Sequence, residues 1–417
     1  VYIPEFCSER LSELFLALTR IASPSKRERG VADVVISTLE KIGVVVCEDE
    51  TAKAIGGDTG NLWCVVAPRG PRQHERSGLS NGATACNPGH SEDGGSIGGA
   101  PCVALGAHLD TVAPTDTIEP YLDEEGVFRN RRHTILGADD KAAIAALLHA
   151  AEVLKGGSHV FTPFELFFTV AEEIGLVGAK HLDVKVLASP FALVLDSSGP
   201  VGGIVVRAPS QKSLKASFRG RAAHAGVEPE RGRSAIQAAA RAIAAMSLGR
   251  VDEESSANIG VIRGGVATNI VPDFCEVEGE CRSHDDEKLV RIAGSMVDAL
   301  QEGAARTGVD VDVSLTHEYS AFSLKPKSAV VRLAKAALSD LGVEGRLLTG
   351  GGGSDANILN ARGLPTVNLD AGMMQVHSPD EYIPLSELER LCALVLRVIL
   401  LAPAYGPGRP SRAEVHD

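Results

Sequence analysis

Glu165-Leu166-Phe167-Phe168-Thr169-Val170-Ala171-Glu172-Glu173-Ile174-Gly175 is an apolar run that ends on two adjacent carboxylates and a glycine. Its first half reads as a buried strand. Consecutive strand residues point to opposite faces, so the pair Glu172-Glu173 can send one carboxylate to a metal and leave the other to act on water. Taken alone, the pair favours a solvated turn. Its meaning depends on what other ligands the chain supplies.

Working outward, residues 62–66, 102–107 and 193–195 form further apolar runs, each followed by polar or Gly-containing turns. Helical patterns lie between them, the clearest over 141–154 (KAAIAALLHAAEVL), where strong helix formers follow Asp139 and Asp140. This alternation predicts an α/β fold: a mixed, mostly parallel central sheet flanked by helices, its first part spanning residues 1–203. After Gly199 the pattern changes. Strands near 213–218, 257–263 and 274–283 and helices near 234–246 and 286–305 predict a smaller α+β domain over 204–317, inserted within the first. The first pattern then resumes over 318–405. Residues 68–100, rich in Gly, Ser, Asn and Pro, read as a mobile surface insertion in which His74, Cys86 and His90 are ordinary exposed side chains. The tail 406–417 reads as frayed.

Bulk properties narrow the function. The 417 residues are 44% hydrophobic and 23% charged, with a net charge of −13 and no long Lys/Arg run, so nucleic acid and anionic membranes are not expected partners. Nowhere do ~18 apolar residues run without a charge, so no membrane span is expected. Residues 9–18 read as an amphipathic helix rather than a secretory signal, and the eight scattered cysteines lack a C-x-x-C pair. They read as small buried residues in a reducing, cytoplasmic setting.

The remaining candidates cluster at strand ends. His108 and Asp110 follow the apolar run 102–107 and share a face, which suits a metal ligand and a carboxylate that fixes its tautomer. Asp139-Asp140-Lys141 opens the Ala-rich helix. Capping accounts for one aspartate; the second acid could bridge two cations. Asp196 ends a presumed central strand, where α/β sites gather, and His377 lies in a loop after the last strand. Each is weak alone. Together they suit two divalent ions, zinc first by the mixed N/O donors, with cobalt or manganese as alternatives.

In order along the chain, Gly106-Ala-His-Leu-Asp-Thr-Val112, Gly137-Ala-Asp-Asp-Lys-Ala142, Ala171-Glu-Glu-Ile-Gly175, Leu195-Asp196-Ser197 and Val376-His377-Ser378 resemble the two-metal exopeptidase and deacylase superfamily. That superfamily includes peptidase T, carboxypeptidase, aminoacylase and acetylornithine deacetylase. Gly352-Gly353-Ser354-Asp355 and His377-Ser378-Pro379-Asp380-Glu381 point to its peptidase T-like branch. The resemblance implies that His108 and Asp196 bind one metal, Glu173 and His377 the other, and Asp139 bridges them, with Asp140 the competing bridge. It makes Glu172 the general base and Asp110 the residue that orients His108. His224, in Ala222-Ala-His-Ala-Gly226, resembles the family's lid histidine, which in relatives that dimerise through this domain reaches the partner's active site. It would stabilise an oxyanion, so a homodimer through the inserted domain is expected. Asn269, Arg282, Gly352, Gly353 and Ser354 resemble substrate-binding positions, with a structural ion pair as the competing account of Arg282. Ala143 departs from the family, where many relatives have glycine.

The expected activity is hydrolysis of small peptides by an aminopeptidase- or tripeptidase-like enzyme. An N-acyl amino acid deacylase is the alternative, since both substrates present the same amide. A silent metal-binding or dimeric interaction protein would have lost a ligand or the base, and here all are present.

Overall fold

The computed structural model describes residues 4–68, 100–115, 117–157 and 159–406. Most of the 68–100 insertion and of the 406–417 tail lies outside the described residues. The chain falls into two compact units, one comprising Val1–Val206, Leu324–Thr349 and Ser354–Asp417, the other Arg207–Ser323 and Gly350–Gly353.

In the first unit the central strands run in the order Val46–Glu48, Leu62–Val66, Phe164–Thr169, Ala104–His108, Ala192–Ser197, Thr366–Asp370, Gly203–Ala208. The middle four, from Phe164–Thr169 to Thr366–Asp370, are mutually parallel, and the strands on either side pair with them antiparallel. This is the mixed sheet with a parallel centre that the alternating pattern predicts. Parallel strands end on one edge, so the residues after Thr169, His108, Ser197 and Asp370 all emerge together. Covered on both faces, these strands are buried in near-continuous runs rather than on alternate residues.

The helix Ala138–Gly156 is buried over nearly its whole length and packs against the strand Ala104–His108 and the helices Ser8–Thr19 and Leu385–Leu401. Its alanines and leucines on every side are what such a position requires. Six of the seven cysteines among the described residues are buried, whereas Cys7 is exposed and its sulfur accepts the Arg10 amide at the start of the first helix. The expectation of buried cysteines therefore fails at Cys7.

The second unit is an antiparallel five-stranded sheet in the order Gly249–Asp252, Ser255–Gly264, Phe274–Ser283, Ser210–Arg219, Asp310–Tyr319. Helices Ala235–Ala245 and Asp286–Thr307 share a core with it. Ala238, Ala242, Leu289, Met296 and Leu300 meet Leu214, Phe218 and Val277 there.

Gly106 shows how tightly the central strands fit. It pairs with Phe167 on the neighbouring strand, and a Cβ at position 106 would lie 2.1 Å from the Phe167 ring. Glycine inside a strand marks such a close approach. Gly106→Ala is expected to lower unfolding free energy by roughly 1–3 kcal/mol through overpacking, read as a lower urea midpoint with an unchanged slope.

Candidate metal centre

Most candidate side chains of the first unit are delivered by the carboxyl edge of the parallel strands, whereas Asp139 stands at the start of the helix Ala138–Gly156. His108 is the last residue of its strand, Asp196 the penultimate residue of the adjacent one, and Glu172, Glu173 and His377 stand on the turns that follow two others. Open α/β sheets place their sites at this edge.

Glu172 and Glu173 are separated differently from the strand alternation first expected. The strand ends at Thr169, and Ala171 takes the left-handed conformation at φ 52°, so the chain turns before the two acids. A tight turn, not the pleat, aims them apart. Gly178 closes that turn: a Cβ there would meet the Val170 carbonyl oxygen at 2.1 Å.

Asp110 organises the centre. Its Oδ1 accepts the Glu172 amide at 3.0 Å, while Oδ2 accepts the Glu173 amide at 3.2 Å and the Ser25 hydroxyl at 2.6 Å. The nearest partner of His108 Nδ1 is the Asp110 carbonyl oxygen at 2.9 Å, with the carboxylate Oδ1 at 3.4 Å. The expected carboxylate contact to the ring is thus secondary, because the carboxylate is occupied by the two Glu amides and Ser25. The consequence for the imidazole is the same: an N–H on Nδ1 leaves Nε2 as the donor atom facing the cluster.

Asp139 lies between the two histidines. Its Oδ1 is 3.0 Å from His108 Nε2 and its Oδ2 is 3.2 Å from His377 Nε2. His377 Nε2 is also 3.1 Å from the Glu173 carboxylate, and Asp196 Oδ1 is 3.7 Å from His108 Nε2. Donor atoms of His108, Asp139 and Glu173 all fall within 4.8 Å of one another. Asp140 faces elsewhere. Fully buried, it accepts the His108 amide at 3.1 Å through Oδ2, and its Oδ1 has no hydrogen-bond partner among the described residues. Neither aspartate side chain bonds an amide of the helix's first turn: both residues have the non-helical backbone angles of a helix start, but their carboxylates turn to His108 and His377.

Two residues that the sequence reading did not single out for this centre support it. Glu381 is buried and accepts the amides of Leu136, Gly137 and Asp139 at 2.8, 2.7 and 3.0 Å, which fixes the Asp139 loop. Asp355 accepts the Thr169 hydroxyl through one carboxylate oxygen and leaves the other buried without a partner among the described residues. Both belong to motifs already quoted, but nothing in the sequence marks a carboxylate that binds backbone amides, as Glu381 does, or a buried hydroxyl, as Asp355 does.

Five carboxylates share this space with two imidazoles, and the electrostatics reflect it. Burial pushes the Asp196 carboxyl up to about 7 against the His108 bond, with Asp139 and Glu173 adding repulsion. Burial, then Asp196, drives Glu172 well above the usual carboxylate range. Asp139 is held below that range because, against burial, His108 and His377 both bond it. Those contacts to Asp139 and Glu173 raise His377 to about 10. The donor set is hard oxygen plus imidazole nitrogen with an excess of negative charge, which is what a pair of divalent cations requires.

The remaining predicted residues belong to the second unit, apart from Ser354. His224 is exposed, its Nδ1 accepts the Gly226 amide at 3.1 Å, and its neighbour Ala225 donates to the carbonyl of Asn269, also exposed, at 2.9 Å. Arg282 is half-buried and makes a two-pronged pair with Glu280 at 2.9 and 3.0 Å, its Nη1 facing Gly352. Gly353 lies against the Tyr319 ring. Ser354 begins the helix Asp355–Ala361 with a reciprocal bond to Asn357.

Comparison with known proteins fits this geometry. Residues 104–401 match peptidase family M20/M25/M40. The chain is 38% identical over 391 residues to the uncharacterized protein YqjE of Bacillus subtilis (strain 168), covering 94% of this chain and 98% of that one. The crystal structure of a tripeptidase from Staphylococcus aureus subsp. aureus mu50 superposes with a TM-score of 0.83 at 34% identity, covering 95% of this chain and 99% of that one. That of aminopeptidase PepT from Bacillus cereus ATCC 10987 gives a TM-score of 0.78 at 38% identity with the same coverage. The chain therefore belongs to peptidase family M20/M25/M40, as its motifs imply, and is a hydrolase of that family.

Proposed function

We propose that the protein is an exopeptidase that hydrolyses small peptides, in the manner of an aminopeptidase or tripeptidase, with two divalent cations at the His108–His377 cluster. The observation that carries the reading is Asp139, whose two carboxylate oxygens each face a different imidazole at 3.0 and 3.2 Å. One oxygen toward each metal is the arrangement a bridging carboxylate needs. Asp140, tied to the His108 amide, is the weaker candidate for that role. His108 and Asp196 would complete one site, Glu173 and His377 the other, and zinc suits the donor set best, ahead of cobalt and manganese.

When bound, the cations supply Lewis acidity that polarises the scissile carbonyl and acidifies water. The rest of the chemistry falls to this chain. Glu172, buried and raised above the usual carboxylate range first by desolvation, is suited to take a proton from the attacking water and return it to the leaving amine. Asp110 fixes the His108 ring and the amides of both glutamates. His224 would stabilise the oxyanion. Asn269, Arg282 and the Gly352-Gly353-Ser354 turn would hold the substrate's carboxylate and carbonyl groups. Exposed Ile262, Val266 and Phe274 in the second unit support a homodimer formed through it, which sedimentation would check.

Glu172→Gln should retain two metals per chain by elemental analysis while kcat falls about 10²- to 10⁴-fold. Hydrolysis at the wild-type rate would remove Glu172 as base. Chelation should abolish activity and lower the melting temperature. Restored metal should reverse both, adding about 2.7 kcal/mol per site at a hundredfold excess over Kd; activity that survives complete metal removal would overturn the two-metal reading. On a panel of di- and tripeptides and N-acyl amino acids, peptides should be turned over best. A preference for the acyl amino acids would make the enzyme a deacylase of the same family.

A further inference from the structure

When the strand Phe164–Thr169 ends, the next four backbone amides lose their neighbours in the sheet, yet all are buried or nearly so. Each is taken up by a side chain. Val170 donates to Asn61 Oδ1 at 3.1 Å, Ala171 to Glu28 Oε1 at 3.0 Å, Glu172 to Asp110 Oδ1 at 3.0 Å and Glu173 to Asp110 Oδ2 at 3.2 Å. The carbonyls are held as well: Val170 accepts from Gly178 at 2.9 Å, Ala171 from Val177 at 3.0 Å, and Glu172 from Gly175 and Leu176 at 3.0 and 2.7 Å. The backbone beneath Glu172 is therefore bonded on both sides.

We propose that Glu28 and Asn61 are positioning residues for Glu172, holding from below the turn that Asp110 holds from the metal side. This inference rests on the reading of Glu172 as the general base. Glu28 acts at the most demanding point. Ala171 adopts φ 52°, a left-handed conformation that costs a residue with a Cβ about 1–2 kcal/mol, and its amide is the one Glu28 binds. The same Oε1 accepts the Lys26 amide at 2.7 Å, which clamps the carboxylate in its own loop. Although Glu28 directly precedes the helix Arg29–Lys41, its side chain makes no capping bond there. It is fully buried, and its Oε2 has no hydrogen-bond partner among the described residues. A buried carboxylate kept without a salt bridge is poor use of a position for stability alone, whereas a fixed acceptor under Ala171 is what the turn needs. Asn61 is likewise fully buried. Its amide nitrogen lies 2.8 Å from Asp49 Oδ2, 3.0 Å from Thr51 Oγ1 and 3.0 Å from the Gly178 carbonyl, which leaves Oδ1 for Val170.

Reach and charge separate in two substitutions. Glu28→Gln keeps the acceptor at the same distance and loses the charge, whereas Glu28→Asp keeps the charge and withdraws the acceptor by one methylene. The metal-loaded full-length enzyme is assayed on its best peptide substrate, with metal content measured on each variant. Glu28→Asp is expected to lower kcat about 10- to 100-fold, the scale of a 1 Å misplacement, with KM within about threefold and metal content unchanged. Glu28→Gln should stay within about threefold of wild type in kcat. Asn61→Ala, which removes the acceptor under Val170, is the second variant and should also lose kcat rather than KM or metal; it decides the matter if Glu28→Asp does not fold. Wild-type kcat in Glu28→Asp or Asn61→Ala, a loss in Glu28→Gln equal to that in Glu28→Asp, or losses confined to KM or metal content would overturn the inference. Glu172→Gln is run alongside: if it remains active, the assignment of the base has failed, whereas an inactive Glu172→Gln beside an unaffected Glu28→Asp rejects the positioning role alone.

Discussion

The Asp110 carboxylate, wholly buried, joins three segments that are far apart in the chain. It binds the amides after the strand Phe164–Thr169 and the hydroxyl of Ser25, while its own backbone carbonyl orients His108 at the end of the neighbouring strand. Against burial, the bonds from His108, Ser25 and the Glu172 amide keep it ionised and below the usual carboxylate range. Because these two strands are parallel neighbours, one short side chain can reach both of their ends. An antiparallel pair would send those ends to opposite edges and leave nothing for Asp110 to connect. The parallel centre of the sheet is thus the precondition of the site.

A second constraint is charge. Asp139, Asp140, Glu172, Glu173 and Asp196 crowd a space where, among the described residues, the basic groups in contact are His108 and His377, and burial lifts three of the five acids. Around them the scaffold uses the same currency. Glu381 holds the Asp139 loop by three amides, and burial brings it to about 7. Lys141, fully buried, donates to the Ile21 carbonyl at 2.6 Å and is brought down to about 7 by burial. Groups so far from their ordinary values are tolerated where function demands them, and this cluster is where the fold concentrates them.

How legible this was in the sequence depended on whether a residue announces itself by type. His108, Asp139, Glu173 and His377 do so: they are histidines and acids, the residue types that ligate metals, and the structure brings them together. Glu28 and Asn61 do not. Their work is to accept a backbone amide, Asn61 from a residue 109 positions away, and an amide leaves no mark in the sequence. The separation of Glu172 from Glu173 was expected from strand alternation and arises from the turn at Ala171 instead. In the second unit the strand Asp310–Tyr319 went unread. Val311, Val313 and Leu315 alternate with polar residues on a largely exposed edge strand, a strand signal that a search for continuous apolar runs passes over.

The paired aspartates illustrate why motif and mechanism have to be read together. A capping argument needs one acid and leaves the other redundant. In the folded chain neither side chain makes a capping bond, and the two have separate partners: Asp139 spans the imidazoles of His108 and His377, while Asp140 bonds the amide of His108 itself. The second acid ties the start of the buried helix to the strand end that carries the first histidine. It therefore fixes the position of His108 relative to Asp139, and exchanging the two acids would lose both the span and the tie. The order Asp139-Asp140, which the spacing alone could not rank, follows from the demand that one carboxylate reach two imidazoles while its neighbour holds the backbone of one of them.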